Sequence, residues 1–436
     1  MSETLHPDRV HLANVRLICP ATGRDEAGGL MFEAGKIADV GPHLYDASAR
    51  APHVVNGLGA VACPGLIDCQ VFTGEPGEEH RETLRSASRS AAAGGVTTML
   101  CMPNTDPVID DVALVYYIMR SARENAVVNV LAAAALTKNL EGREMTEIGL
   151  LHEAGAAAFT NGKRSVVNAQ VMRLAMAYAK DFDAVVIHNV EDRDLADSGV
   201  MHEGEVSARL GMQGIPAAAE TIVLERDLRL LALSGGRYHV AALSSRDSLQ
   251  PIRDAKAAKL NVTCGVSINN LTLNEYDIGS YKTYCKVKPP LRSEDDRRGL
   301  VAAVADGTID VIVSNHDPQD ADTKRRPFAE ASDGAIGLET MLSAGLQLYH
   351  RGELDLIPLL AAMTAKPAAL LGLSAGRLAA GAPADVTLID LEKTWTVDKR
   401  QLKSRSRNSP FDERALKGRV TKTFVGGALV YDLKDG

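Results

Sequence analysis

Pro64-Gly65-Leu66-Ile67-Asp68-Cys69-Gln70-Val71-Phe72 is the stretch whose reading decides the fold. It lies in an apolar run, VACPGLIDCQVF at 61–72, that reads as a strand and opens a series. The later members are GVTTMLCM (95–102), VVNVLAAAA (127–135), GAAAFT (155–160), DAVVIH (183–188), RYHVAAL (237–243), LNVTCGVS (260–267) and TIDVIVSN (308–315). Between them stand segments of helical period, such as 79–93, 167–180, 217–233 and 293–305. Short runs rich in Val, Ile, Thr and Ala that alternate with helices are the mark of βα units and a parallel sheet. Eight units in about 250 residues predict a closed (β/α)8 barrel of the TIM type rather than an open doubly wound sheet. Within the first run Gln70 and Phe72 stand two apart, on one side of a strand. A carboxamide is a poor zinc ligand and a phenyl ring is none.

The flanks have another texture. Residues 1–60 and 376–436 hold short strand-like pieces, VHLANVRLI, GLMFEAGKIADV, DVTLIDL and RVTKTFVGGALVYD, punctuated by Gly and Pro turns. Each is too short to enclose a core, so the two chain ends are expected to pair into one small β-sandwich, with 61–375 as the barrel. The segment 398–414, which contains KSRSRNSPFDER, reads as a polar, solvated loop.

Composition narrows the function classes. The chain has 436 residues, 45% of them hydrophobic and 24% charged, the balance of an ordinary globular protein. A net charge of −8 disfavours nonspecific binding to nucleic acid or anionic lipid. The start, Met1 to Arg9, lacks the basic and apolar regions of a secretory signal, and no run approaches the length of a membrane span, so a cytoplasmic protein without a membrane role is expected. Six scattered cysteines without a CxxC pair read as buried, reduced thiols.

Six motifs occur in order: PGLIDCQVFTGEPGEEHRET, AAAGGVTTMLCMPNTDPVID, MHEGEVSARLGMQGIPAAAE, KVKPPLRSEDDRRGL, DGAIGLET and AGRLAAGAPADVTLID. Together they make the chain resemble the dihydroorotases of the amidohydrolase superfamily over essentially its full length. Likeness to hydantoinases and allantoinases is weaker, because MPNT and the PPLRS segment lean toward dihydroorotase. The resemblance implies a site at the C-terminal ends of the barrel strands, where a binuclear zinc centre cyclises carbamoyl aspartate or hydrolyses dihydroorotate.

The family's ligand positions are nonetheless occupied by other residues. Its first strand reads PGxIDxHxH, and here the two histidine positions are Gln70 and Phe72. The bridging aspartate after the fourth strand is matched by Asn161, the fifth-strand histidine by Asn189, and the second histidine of the sixth-strand HxxHxS by Ala242. The proton-shuttling aspartate of the eighth strand is matched by Asn315, an amide that accepts no proton near neutral pH. Of the substrate-gripping positions, the arginine after HxH falls on Gly74 and the last histidine of DHAPH on Gln319. Asn104 in MPNT matches a carboxylate-binding asparagine, and it reads equally well as a turn residue after the second strand. Lys163 and Asp317 remain as polar candidates, while His188, His239 and His316 are expected by strand alternation to face the outer helices.

From these substitutions a catalytically inactive dihydroorotase homologue is expected, one that binds no zinc and serves as a structural or regulatory subunit in pyrimidine biosynthesis. By family analogy its partner would be aspartate transcarbamoylase, within a homodimer or hetero-oligomer. Two alternatives stand beside it: an active dihydroorotase or related cyclic-amide hydrolase with an atypical site, in which zinc would be expected, and a metal-free module that binds a pyrimidine intermediate.

Overall fold

A computed structural model describes residues 9–46 and 52–434. The N-terminal reading therefore falls, up to residue 8, outside the described residues. The first ten strands are β1 Arg9–Cys19, β2 Arg24–Glu33, β3 Lys36–Gly41, β4 His53–Asn56, β5 Val61–Pro64, β6 Leu66–Val71, β7 Val96–Cys101, β8 Asn129–Ala135, β9 Ala158–Thr160 and β10 Val185–His188. Eight follow: β11 Met201–His202, β12 Gly214–Ile215, β13 Arg237–Leu243, β14 Val262–Ser267, β15 Val311–Val313, β16 Val386–Thr396, β17 Ala415–Val425 and β18 Ala428–Asp432.

Strands β6 to β10 and β13 to β15 form one parallel eight-stranded sheet in the order β15-β14-β13-β10-β9-β8-β7-β6. First and last strands meet through a parallel bridge between Val71 and His316 and a bond from the Phe72 amide to the His316 carbonyl at 2.9 Å. The sheet thus closes into the expected barrel. Alternation divides its side chains between two cores. Ile67, Leu100, Ala133, Ala158, Ile187, Ala241 and Val313 fill the interior. Val71, Met99, Ala134, Val186, Val240 and Val266 face the surrounding helices. The helices begin where the sequence supplies caps, for example at Thr83, which forms a capping box with Ser86 ahead of the helix Leu84–Ala93. Residues 79–83 are consequently loop, although the apolar period had suggested a helix from 79.

The run VACPGLIDCQVF is two strands rather than one. β5 pairs with β1 and β16 in the end-strand sheet, and only β6 enters the barrel. The break falls at Gly65, where a Cβ would lie 2.1 Å from the Thr97 hydroxyl, so only glycine lets the chain pass that close. The end strands form one continuous sheet, β18-β17-β16-β5-β1-β2-β3, with β4 added to β1. Leu12, Leu17, Leu30, Phe32, Leu388 and Phe424 make its own core.

Segment 398–414 departs from its sequence reading. Leu402, Ser404, Ser406 and Asn408 are buried while Gln401, Lys403, Arg405 and Arg407 are exposed, an alternation that the polar composition hides. The segment is a strap laid over the barrel. The Ser406 hydroxyl donates to the Arg81 carbonyl at 2.9 Å, and the Asn408 amide donates to the Asp317 carbonyl at 3.2 Å. All six cysteines are buried and free, as composition suggested. Among the described residues no helix is long and apolar enough to cross a membrane.

Candidate active site

The strand ends bring together most of the positions singled out in the sequence, but not around a common point. On β6 a shift of register between Asp68 and Val71 interrupts the alternation. Gln70 thereby turns toward the last strand, where its amide nitrogen donates to Asn315 Oδ1 at 3.0 Å. Asn315, at φ 51°, donates in turn to the Lys288 carbonyl at 2.8 Å. The two amides stitch the first strand to the last. Gln70 Oε1 is left buried without a hydrogen-bond partner.

Phe72 packs into the interior cluster and is 5% exposed. The Lys163 ammonium stands 4.6 Å above its ring and also 2.6 Å from Asp317 Oδ2. Asp317 is the most densely held carboxylate of the mouth: its other oxygen receives Arg81 at 3.2 Å and the Gln319 amide at 2.9 Å. Arg81 further donates to the Pro318 carbonyl and pairs with Glu78 at 2.6 Å. Lys163, Arg81 and Asp317 therefore form a partly open, charged cluster beside the ring of Phe72. Sequence reading flagged Lys163 and Asp317 but missed Arg81, although it lies inside the quoted motif GEPGEEHRET; the position examined for a carboxylate-binding arginine was Gly74, in a turn whose carbonyl accepts the Glu78 amide at 2.6 Å.

Asn161 and Asn104 are committed elsewhere. The fully buried Asn161 side chain exchanges hydrogen bonds with Thr137, to its hydroxyl at 2.7 Å and from its backbone amide at 3.0 Å. Asn104 donates to the Asn161 carbonyl at 3.3 Å, and its Oδ1 is buried and unpartnered against Gly162. A Cβ at Gly162 would come within 1.6 Å of that oxygen, so the turn and the asparagine are packed as a unit. Asn189 donates to the Lys163 carbonyl at 3.1 Å. Ala242, with Asn189, Glu191, Lys288 and Arg292, lines a crevice of only about 10 Å³, near the least volume that holds one water. Lys288 closes one wall by pairing with Glu191 at 3.0 Å.

The three histidines separate. His188 faces outward: its Nδ1 lies 2.7 Å from Asp227 on the helix Ala218–Ser234, and its Nε2 accepts the Val166 amide at 2.8 Å. His316 is also directed away from the mouth, toward Glu82 at 3.4 Å. His239 does not follow. It shares the inner face with Ala241 and meets the Thr263 hydroxyl at 2.8 Å. The expectation failed because β13 has a register shift between Val240 and Leu243, so counting three residues from Ala242 gives the wrong face. Burial pushes the His239 imidazole down to about 3.

A binuclear zinc centre does not fit this donor set. Zinc takes thiolate, imidazole and carboxylate, and the family positions offer two short amides, a long one, a phenyl and a methyl. Among the described residues no three His, Cys, Asp or Glu side chains are grouped to hold a metal ion.

A closed parallel barrel with a side sheet from both chain ends and a loop-built mouth defines an amidohydrolase-type hydrolase fold. The L-hydantoinase (dihydropyrimidinase) from Arthrobacter aurescens superimposes with a TM-score of 0.87 over 97% of this chain and 96% of that one, at 26% identity. The dihydropyrimidinase from Brevibacillus agri NCHU1002, 19% identical with a TM-score of 0.84 over 98% and 95% of the two chains, shares the fold. Residues 59–248 match the family described as "Dihydro-orotase-like". The dihydroorotase of Anaplasma phagocytophilum is 42% identical across 96% of this chain and 94% of its own length. That of Syntrophotalea carbinolica is 40% identical across 98% of this chain and 100% of its own. The chain belongs to the dihydroorotase family.

These relatives correct the expectation of an inactive structural subunit. Chains alike at 40% or more over nearly their whole length carry the name of the enzyme, and nothing among the likenesses sets this chain with an inactive subtype. The inactive reading weighed the ligand positions alone; identity spread over the remaining sequence points to the enzyme.

Proposed function

We propose that this protein acts as a dihydroorotase, or on a closely related cyclic amide, through an atypical site at the barrel mouth. The observation that carries this reading is the full-length similarity to dihydroorotases. Carbamoyl aspartate and dihydroorotate are both carboxylates, and Lys163 and Arg81 are the cations that the mouth presents beside Phe72. In this reading a substrate carboxylate takes over contacts that Asp317 holds in the free protein, and the released Asp317 carboxylate accepts the proton that leaves the ureido nitrogen. Ring closure then forms the C–N bond as one carboxyl oxygen leaves as water, taking back the proton held by Asp317 and a second proton from solvent; hydrolysis is the reverse.

The test is turnover by the purified chain of both carbamoyl aspartate and dihydroorotate, with and without added zinc. Asp317→Asn is expected to lower kcat by about 100-fold or more, within the usual range for a lost general base. Lys163→Ala is expected to raise KM more than it lowers kcat. Absence of turnover above the uncatalysed rate under both metal conditions overturns the reading. By family analogy we further propose a cytoplasmic protein that forms a homodimer or a complex with aspartate transcarbamoylase; co-elution of the two purified proteins on a sizing column tests the partnership, and separate elution refutes it.

A further inference from the structure

A second cavity lies where the barrel helices Leu84–Ala93 and Met341–His350 meet the end-strand sheet and the root of the strap. Its volume is about 290 Å³, and its walls include Glu339, Trp395, Asp398, Lys403, Arg419 and Tyr431. That is the size of the smaller ligand sites.

The charges in its walls are unevenly satisfied. Both acids are occupied. Asp398 accepts Arg400 through both oxygens at 2.9 Å, and the Gln401 amide as well. Glu339 Oε1 accepts the Ser90 hydroxyl at 3.0 Å and the backbone amides of Lys403 at 2.6 Å and Ser404 at 3.2 Å. The cations are not occupied. Arg419 stacks on the Trp395 ring at 4.4 Å and, among the described residues, its guanidinium has no hydrogen bond and no carboxylate partner. The Lys403 ammonium likewise has none. A guanidinium fixed by an aromatic face with its donor fork unused is arranged for bidentate recognition of a planar acid. The Trp395 indole nitrogen is also buried and unpartnered, an unmet donor in the same wall. Burial holds the Glu339 carboxyl up at about 7, which limits the negative charge it sets against an incoming anion.

We propose that this cavity is a binding site for a small organic carboxylate, gripped by Arg419 with Lys403 assisting. The proposal does not rest on the dihydroorotase reading. It is tested by calorimetric titration of the full chain with benzoate and with nicotinate, against inorganic phosphate and sodium chloride at equal ionic strength. At least one of the two carboxylates is expected to bind with a Kd of about 1 mM or tighter. Arg419→Ala should weaken that binding about tenfold or more, Arg419→Lys should weaken it less, and Lys163→Ala at the mouth should leave it unchanged. Arg419→Lys keeps the charge and the stem, so it guards against a folding failure of the alanine variant. No binding of either acid, binding that survives both Arg419 variants, binding abolished by Lys163→Ala, or equal binding of phosphate would each overturn the assignment.

Discussion

His188 and His239 stand on neighbouring strands of one sheet and are treated in opposite ways. His188, on the outer face, is enclosed by a carboxylate, a hydroxyl and a guanidinium: Asp227 accepts Tyr238 at 2.7 Å and Arg226 at 2.7 Å besides facing the imidazole. His239, on the inner face, has a threonine hydroxyl and no acid. Outward, the buried charge of Asp227 is offset by the imidazole, hydroxyl and guanidinium around it; inward, no acid is buried beside the imidazole. The same division runs through the barrel. Glu220 on an outer helix gathers the amides of Ser244 and Ser245 and the hydroxyls of Ser244 and Ser248. The mouth positions facing inward carry amides, a ring and a methyl.

The contrast is broken most strongly on the outer side. Asp227→Ala removes the acceptor of His188 and Tyr238 and the carboxylate partner of Arg226, and is expected to cost about 3–5 kcal/mol by chemical denaturation. Burial raises the Asp227 carboxyl, but His188, Arg226 and Tyr238 outweigh it and hold the net value below the usual carboxylate range. Its contribution is therefore present above the unfolded carboxyl value of about 3.9 and is lost as pH falls through the lower folded value. A loss under 1 kcal/mol would mean that the outer network is not a stabilising one.

Phe72→Ala comes next. It removes a ring that is almost fully buried in the interior core, with an expected cost of about 3 kcal/mol. Little change would show that the ring packs loosely, as a movable part of the mouth. For His239 the effect is a slope. Its folded value, about 3, is below the unfolded value of about 6.5, so the unfolded chain binds the extra proton between them. Stability should fall as pH drops from 6.5 toward 3, and His239→Gln should flatten that part of the profile; an unchanged profile would place the imidazole in contact with water. The smallest effect is expected from Gln70→Leu, which removes the hydrogen bond to Asn315 together with an unpartnered buried oxygen and leaves the bond from Asn315 to the Lys288 carbonyl in place. The change should stay within about 1 kcal/mol by chemical denaturation, and a larger loss would show that the stitch between first and last strands helps to hold the barrel closed.

How far the sequence reached follows the same inner and outer division. The eight barrel strands and the end strands were legible because apolar alternation reports which faces are buried. The split at Gly65 was not, since Val61 to Val71 is buried on both sides of the break and the apolar pattern runs straight across it. Strand direction at β6 and β13 was misjudged where bulges insert a residue, a backbone event without a side-chain signature. The strap was taken for solvated loop because Ser404, Ser406, Asn408 and Ser409 are buried alongside Leu402 and Phe411, and the burial of such polar residues is met by hydrogen bonds that composition cannot report. At the mouth, the family pattern located Gln70, Asn161, Asn189, Ala242 and Asn315 in chain order, but not that Arg81, Lys163 and Asp317 would gather in three dimensions.

The strap also sets a timetable. Ser406 secures Arg81 across 325 residues of chain, and Asn408 secures Asp317 across 91. A nascent chain whose barrel strands have all emerged still lacks the segment that fixes the Arg81 and Asp317 loops. Barrel closure and completion of the mouth are therefore separate events in synthesis, and the mouth comes last.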